Sequence, residues 1–103
     1  MKARTVSFYI DPEFVGEVLE ALDNELIPQY HEVPHFIGLV VLESEAEGRR
    51  EFFGMSVWDG ERTDCDDVID AFLDRLFEVA GTSASTRRYN VVRLVAAKGL
   101  PRN

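Results

Sequence analysis

Residues 35–58 read HFIGLVVLESEAEGRREFFGMSVW, and this stretch decides the fold. FIGLVVL is apolar at nearly every position, which predicts a strand covered on both faces. The polar, glycine-containing SEAEGRR predicts a turn, and EFFGMSVW predicts a partner strand that the following DG ends. Glu43 and Glu45 precede the turn, and Arg49 and Arg50 follow it, so opposite charges are expected to meet across a hairpin.

The chain before the hairpin predicts one strand and one helix. Over residues 3–10, apolar side chains alternate with polar ones, and one face of the strand carries Val6, Phe8 and Ile10. Asp11 is a suitable N-cap and Pro12 a suitable first helical residue. This helix is expected to end near Ile27, because Pro28 lacks a backbone donor and disfavours a helical residue before it.

The chain after the hairpin predicts a second helix and a fourth strand. Thr63 or Asp64 can cap the helix, and Gly81 is typical of a C-terminal stop. Its apolar stripe has helical spacing and consists of Val68, Ile69, Phe72, Leu73, Leu76, Phe77 and Ala80. TSAST then predicts a loop, and residues 87–97, RRYNVVRLVAA, predict a strand.

The element order is strand, helix, strand, strand, helix, strand. It predicts a single α+β domain over residues 1–103 with the ferredoxin-like βαββαβ arrangement, in which two helices cover one face of a four-stranded antiparallel sheet. Right-handed crossovers predict the spatial strand order 4-1-3-2.

The face of the sheet without helices is also predicted to be apolar. The third strand has Phe52 and Trp58 on one face and a second apolar set on the other, namely Phe53, Met55 and Val57. In the fourth strand the two sets are Tyr89, Val91 and Val95, and Val92, Leu94 and Ala96. Because a large exposed apolar patch usually marks an interface, we expect a homodimer packed sheet against sheet.

Composition excludes several classes of function. The formal charge of -8 argues against nucleic acid as a partner, because binding to phosphates draws on Lys and Arg. A single cysteine, Cys65, excludes an internal disulfide and fits a reducing cytoplasm. The longest apolar run is FIGLVVL, far too short to span a membrane, and the N-terminus has no apolar stretch of signal-peptide length. The sequence therefore predicts a cytoplasmic protein without membrane contact.

Residues 31–35, HEVPH, match the H-E-x-x-H pattern of zinc metalloproteases. That site needs both histidines on one face of one helix. Pro34 lies inside the motif, lacks the N–H and favours an extended residue before it, so we expect the loop that leads to the second strand and no metal site. A two-histidine site of another geometry stays open.

Two pieces of the chain resemble the antibiotic biosynthesis monooxygenase-like (ABM) domains of the dimeric α/β-barrel superfamily. VPHFIGLVVLE resembles the P-G-F-x-G entry to their second strand, with His35 where the family usually has glycine. EFFGMSVWDGER resembles their third strand, which typically ends in Trp before a short turn and the second helix. The layout covers nearly the whole chain, so the resemblance implies a dimeric α/β barrel.

The resemblance also implies candidate activities. Some members oxidise polycyclic aromatic phenols with molecular oxygen and no metal or organic cofactor, others degrade haem, and many have no assigned activity. Trp58 matches the strand-ending tryptophan that lines the ligand cavity in several members. Haem-degrading relatives pair it with a histidine in the following helix and an asparagine on the first strand. This chain has neither, which disfavours haem degradation.

The residue pattern around Trp58 predicts a pocket for a planar ligand. Gly54 and Ser56 share its strand face with the large Phe52, and two small residues beside large flat ones leave volume. Phe8 and Phe72 are expected on the same side. The alternative is that a helix packs close at Gly54 and that Trp58 is core. His35 and Tyr9 are the candidate catalytic hydrogen-bond donors, although no spacing proves either.

Other chemistry is disfavoured. Cys65 has three acidic neighbours and no adjacent histidine, so a nucleophilic role is not expected. The acids of DCDDVID have a structural reason to lie at a helix start, so we expect no magnesium site. Two functions stay open: cofactor-independent oxygenation of a small aromatic or phenolic compound near Trp58, and non-catalytic ligand binding or a stress-related role by a dimer of the same fold.

Overall fold

The computed structural model describes residues 1–59 and 65–95. Its strands are β1 (Lys2–Ile10), β2 (Phe36–Ala46), β3 (Arg49–Trp58) and β4 (Ser85–Asn90). They form one sheet in the order β2-β3-β1-β4, and every neighbouring pair is antiparallel. This is the predicted order 4-1-3-2 seen from the other edge. The ferredoxin-like α+β fold is therefore confirmed.

A two-residue turn joins β2 to β3. Glu47 and Gly48 both have positive φ, at 52° and 78°, between the paired residues Ala46 and Arg49. Such a turn matches the twist of the two strands. The Nη1 of Arg50 donates to the Oε1 of Glu43 at 2.8 Å, so the predicted contact of opposite charges across the hairpin is present.

The first helical region does not end near Ile27, and that prediction is wrong. A 3-10 turn (Pro12–Phe14), α1 (Val15–Ala21), a π-helical turn (Leu22–Leu26) and α2 (Ile27–Glu32) follow one another without a break. In the π turn the Ile27 N–H donates to the Leu22 carbonyl, five residues earlier. Pro28 consequently falls in the first turn of α2, directly after the π turn.

The second helical region is α3 (Asp66–Ala80), and it carries a buried stripe of Ile69, Phe72 and Leu76. Gly81 ends it as predicted, with a left-handed φ of 64° and an N–H that donates to the Phe77 carbonyl at 2.8 Å. The predicted caps Thr63 and Asp64 lie outside the described residues.

The fourth strand lies earlier than predicted. β4 begins at Ser85, inside the predicted loop, and ends at Asn90. Asn90 pairs with Lys2, the first residue of β1, so β1 has no further residues for β4 to pair with. The chain therefore leaves the sheet after one more hydrogen bond, from the Val91 N–H to the Met1 carbonyl at 3.0 Å. Val92, Leu94 and Val95 are exposed outside any strand, and Ala96 lies outside the described residues.

The two faces of the sheet have different surroundings. The helix-covered face holds the core, which includes Phe8, Ile10, Phe52, Trp58, Ile69 and Phe72. The helix-free face exposes apolar side chains, among them Val40, Leu42 and Tyr89. Within the described residues, no helix combines the length and hydrophobicity that a membrane span requires.

Candidate functional site

An apolar cavity lies between the helices and the sheet. The strands supply Arg4, Val6, Phe8, Leu39, Val41, Phe52, Gly54 and Ser56, and the helical regions supply Val18, Leu19, Leu22, Leu26, Tyr30, Ile69 and Phe72. The space that no protein atom fills is about 520 Å³, including open solvent at the mouth. Within it, a water molecule can place its centre in about 40 Å³. Leu19 and Val41 are the exposed lining residues, so the mouth lies between α1 and the edge strand β2.

The structure brings five of the predicted pocket residues to this cavity, namely Phe8, Phe52, Gly54, Ser56 and Phe72. Phe8 and Phe52 are partners in the β1–β3 register, and their rings stack with centroids 5.4 Å apart and planes 12° from parallel. The Phe72 ring lies 6.3 Å from Phe8. The cavity therefore has flat aromatic walls, while its use as a ligand site stays a prediction.

Gly54 leaves open space in the wall of the cavity. A Cβ at this position would meet only the Val6 backbone oxygen, at 3.9 Å, which is an ordinary contact. A helix does not pack against Gly54, so the close-packing alternative does not describe this position. The missing side chain instead contributes to the cavity volume.

Trp58 lies at one end of the cavity and does not line it. It is 1% exposed, and its indole packs against Tyr30 and Phe36 at centroid distances of 5.2 and 5.1 Å. The Trp58 Nε1–H donates to the Ser56 Oγ at 2.9 Å. Trp58 is therefore a core residue that holds Ser56, and Ser56 itself faces the cavity.

Tyr30, on α2, places its hydroxyl at the cavity. The sequence patterns did not assign this residue to the pocket. It is 2% exposed, and burial raises the pKa of its hydroxyl to about 12, against a smaller lowering by a hydrogen bond with Ser56. A phenol with this pKa stays protonated at neutral pH. Tyr30 can donate or accept a hydrogen bond there, but it cannot act as a base.

Arg4 is the functional candidate that sequence reasoning missed. It is 6% exposed and lines the same cavity, while its Nε has no hydrogen-bond partner among the described residues. A signal was present, because Arg4 has the same parity on β1 as Val6, Phe8 and Ile10 and therefore shares the helix-covered face. A charged residue on the buried face of a strand is rare unless it has a partner or a function.

A carboxylate on α3 holds the Arg4 guanidinium. Asp66, in the first turn of α3, accepts from the Arg4 Nη1. Its other oxygen accepts from the Nη2 of Arg88, a β4 residue that pairs with Arg4 in the sheet, at 2.7 Å. Two guanidinium groups and one carboxylate together carry a formal charge of +1.

Cys65 lies beside this cluster and is fully buried. Burial raises the pKa of its thiol to about 11, although the nearby Arg4 charge acts in the opposite direction. The thiol is therefore protonated at neutral pH and shielded from solvent. Both properties oppose nucleophilic chemistry, in line with the expectation from sequence.

The two predicted catalytic donors lie away from the cavity. Tyr9 is on the helix-free face, with the Arg49 guanidinium 5.7 Å above its ring, and Glu51 raises its pKa. His35 is exposed in the turn before β2, with a φ of 72°. Neither lines the cavity, so their predicted catalytic role has no geometric support in this protomer.

The HEVPH motif is divided between two elements. His31 lies in α2, with its ring 5.7 Å from that of Phe36, and the chain turns at Val33 before His35. The motif is therefore partly helical rather than the loop that was expected, but its histidines do not share a helix. The described residues contain no group of three metal-ligating side chains.

Comparison with known proteins gives similarity of structure only. No family model matches the chain, and no curated protein matches its sequence. A dimeric ferredoxin-like protein from an uncultured marine organism superimposes with a TM-score of 0.70 at 14% identity, over 94% of this chain and 100% of its own.

Two oxygenase-related structures are also similar. SnoaB, a cofactor-independent oxygenase from Streptomyces nogalater solved as a variant, gives a TM-score of 0.63 at 9% identity over 93% of this chain and 97% of its own. A candidate antibiotic biosynthesis monooxygenase from Deinococcus radiodurans gives 0.62 at 12% identity over 96% and 100%. At such low sequence identities, the similarity shows the fold only. The chain therefore shares the ferredoxin-like fold of these proteins.

Proposed function

We propose that the chain binds a small planar aromatic compound with a hydroxyl group in the cavity beside Trp58 and oxygenates it with molecular oxygen. The observation that carries this proposal is the cavity itself, where the stacked Phe8 and Phe52 form an apolar wall and Ser56 and Tyr30 place hydroxyl groups at one end. The fold shared with SnoaB, a cofactor-independent oxygenase, supports the same assignment.

The reaction balances without a further reductant. Oxidation of 1-naphthol converts the C–H group para to the hydroxyl into a carbonyl, and it converts the hydroxyl into a second carbonyl. One oxygen atom of O2 enters the ring and the other leaves as water, so the four electrons lost by the substrate equal the four gained by O2. The apolar walls would keep water from the reacting carbon, and hydroxyl donors would orient the substrate oxygen.

We propose also that the protein is a cytoplasmic homodimer that associates through the helix-free face of its sheet. Val40 and Leu42 are 49% and 55% exposed there, and Phe53 and Met55 on the neighbouring β3 extend the apolar surface. The fold shared with a dimeric ferredoxin-like protein supports this assembly. Sheet-to-sheet packing would remove these side chains from water.

A second candidate function is ligand binding without turnover. The position of His35 and Tyr9 away from the cavity favours it, as does the high pKa of Tyr30, because the lining residues that the structure describes offer no base at neutral pH. An enzyme of this design would have to use a substrate that ionises easily. The two candidates share the cavity and differ in whether oxygen is consumed.

Oxygen uptake separates these functions. Purified protein is supplied with 1-naphthol and 1,5-dihydroxynaphthalene in an oxygen electrode, and products are identified by mass spectrometry. The oxygenase proposal expects one O2 consumed per quinone, no release of hydrogen peroxide, and a rate unaffected by EDTA. Binding seen by fluorescence with no oxygen uptake above that of heat-denatured protein would favour the non-catalytic function.

A further inference from the structure

We propose that the ligand occupies this cavity as an anion, with its ionised hydroxyl oxygen at the Arg4 guanidinium. This inference rests on the proposed function only in using the same cavity. It assigns the ligand class more narrowly, as a planar aromatic compound whose hydroxyl ionises, and it assigns Arg4 as the residue that determines specificity.

Arg4 is buried, and its donors are only partly paired. A guanidinium that is more than nine-tenths buried needs partners for its N–H groups, because an unmet donor on a charged group is costly. Asp66 accepts from Nη1, but Nε has no partner among the described residues. A ligand oxygen in the cavity that Arg4 lines can provide that partner.

The charges around Arg4 also favour an anion. Arg4, Asp66 and Arg88 carry a formal +1, and Arg88 is itself largely exposed, with 63% of its side chain accessible. The whole chain is acidic, with a formal charge of -8, and would repel an anion at long range. Inside an apolar cavity the nearest charge dominates, because the effective dielectric constant is low and solvent does not screen it.

Among the described residues, two further titratable groups beside Arg4 are neutral at pH 7. Tyr30 from α2 and Cys65 before α3 both have raised pKa values, about 12 and about 11. At neutral pH, neither adds a negative charge that would compete with a ligand anion. The Tyr30 hydroxyl, which lines the cavity, can instead donate to one.

A nitronaphthol probe tests the assignment without turnover. The position opposite the hydroxyl of 4-nitro-1-naphthol is blocked against quinone formation, and its visible absorbance reports ionisation. Its methyl ether has nearly the same shape and cannot ionise. We expect the bound naphthol to have a pKa at least about one unit below that of the free probe, and to bind at least about tenfold more tightly than the ether at neutral pH.

Three variants assign this effect to Arg4. Arg4→Met should remove both the pKa shift and the preference over the ether, whereas Arg4→Lys should retain part of each. Arg50→Met is the matched control, because Arg50 lies on the same face of the sheet, pairs with Glu43 and does not line the cavity. Cooperative thermal unfolding shows whether each variant folds. If Arg4→Met does not fold, the pKa shift of the probe bound to the wild-type protein still tests whether the ligand binds as an anion.

The outcomes separate this inference from the proposed oxygenation. An unshifted or raised pKa of the bound probe, or a shift retained by Arg4→Met, would overturn the anion assignment even if 1-naphthol is oxidised. A lowered pKa without oxygen uptake would support the assignment and reject oxygenation. Failure of the wild-type protein to bind either probe would overturn the anion assignment, and oxygen uptake with 1-naphthol would still decide the oxygenation separately.

Discussion

The indole of Trp58 donates a hydrogen bond of 2.9 Å to the hydroxyl of Ser56, two residues earlier on the same strand and equally buried. Both side chains point to the helix-covered face because strand residues alternate. The contact satisfies an indole N–H that has no access to water. It also fixes the Ser56 oxygen at the end of the cavity, next to Tyr30.

Ser56→Ala should therefore lower the free energy of unfolding by about 1–3 kcal/mol, because it leaves a buried indole N–H without its acceptor. Urea denaturation followed by tryptophan fluorescence measures the change. Ser83→Ala, at an exposed position of the loop before β4, is the control and should stay within about 0.5 kcal/mol of wild type. Equal effects of the two substitutions would show that the indole contact contributes nothing.

The fold could be predicted from sequence because its signals are local. Alternation and helical spacing identify the elements, and the Glu47-Gly48 turn fixes the hairpin register. The predictions that failed depended on context. Pro28 is tolerated because a π turn precedes it, and β4 ends where β1 has no further residue to pair with, which no pattern within β4 can reveal.

The candidate site was only partly predictable for a related reason. Strand parity placed Phe52, Gly54 and Ser56 on one face, and the structure brings all three to the cavity. Arg4 has the same parity on β1, which predicts the buried face. A charged residue near the start of a strand is nevertheless easily interpreted as exposed to solvent. Its burial depends on Asp66, which is distant in sequence.

Filling the cavity at Gly54 should separate binding from stability. In Gly54→Val the new side chain enters the open volume, since its Cβ meets only the Val6 oxygen at 3.9 Å. We expect the affinity for 4-nitro-1-naphthol to fall at least about tenfold, equivalent to about 1.4 kcal/mol. The free energy of unfolding should change by less than about 1 kcal/mol, because valine suits a strand better than glycine.

Gly16→Ala is the control for that substitution. Gly16 is exposed on α1, and an added Cβ meets nothing within 4 Å. Removing a helical glycine should raise the free energy of unfolding by up to about 1 kcal/mol without changing ligand affinity. If Gly54→Val binds the probe as tightly as Gly16→Ala, the ligand site lies elsewhere.

A charge on the helix-free face should disrupt the proposed dimer. Val40→Lys places an ammonium group at the centre of the apolar surface of β2, where dimerisation would bury it without a partner. We expect the dimer dissociation constant to rise at least about 100-fold, equivalent to about 2.7 kcal/mol. Light scattering and sedimentation velocity measure it.

Phe77→Lys is the matched substitution on another surface. Phe77 is 62% exposed on α3, away from the helix-free face, so this variant should remain as dimeric as wild type. A wild-type protein that is monomeric at micromolar concentration would reject the dimer outright. Dissociation caused equally by both lysines would place the interface elsewhere.

Alkaline pH should destabilise the fold through Tyr30 and Cys65. Burial raises the pKa of Cys65 from 9.0 to about 11 and that of Tyr30 from 10.0 to about 12. Between the ordinary and raised values, the unfolded chain has lost a proton that the folded chain retains. The free energy of unfolding therefore falls as pH rises from about 9, by about 2–3 kcal/mol for each group once its raised pKa is passed.

Urea denaturation from pH 7 to 12 measures this decline, and two variants assign it. Tyr30→Phe should flatten the curve between pH 10 and 12, and Cys65→Ala should flatten it between pH 9 and 11, whatever either substitution does at pH 7. Tyrosine absorbance should also show a phenol that ionises only near pH 12 while the protein is folded. A pH dependence unchanged in both variants would mean that neither group retains its proton in the folded state.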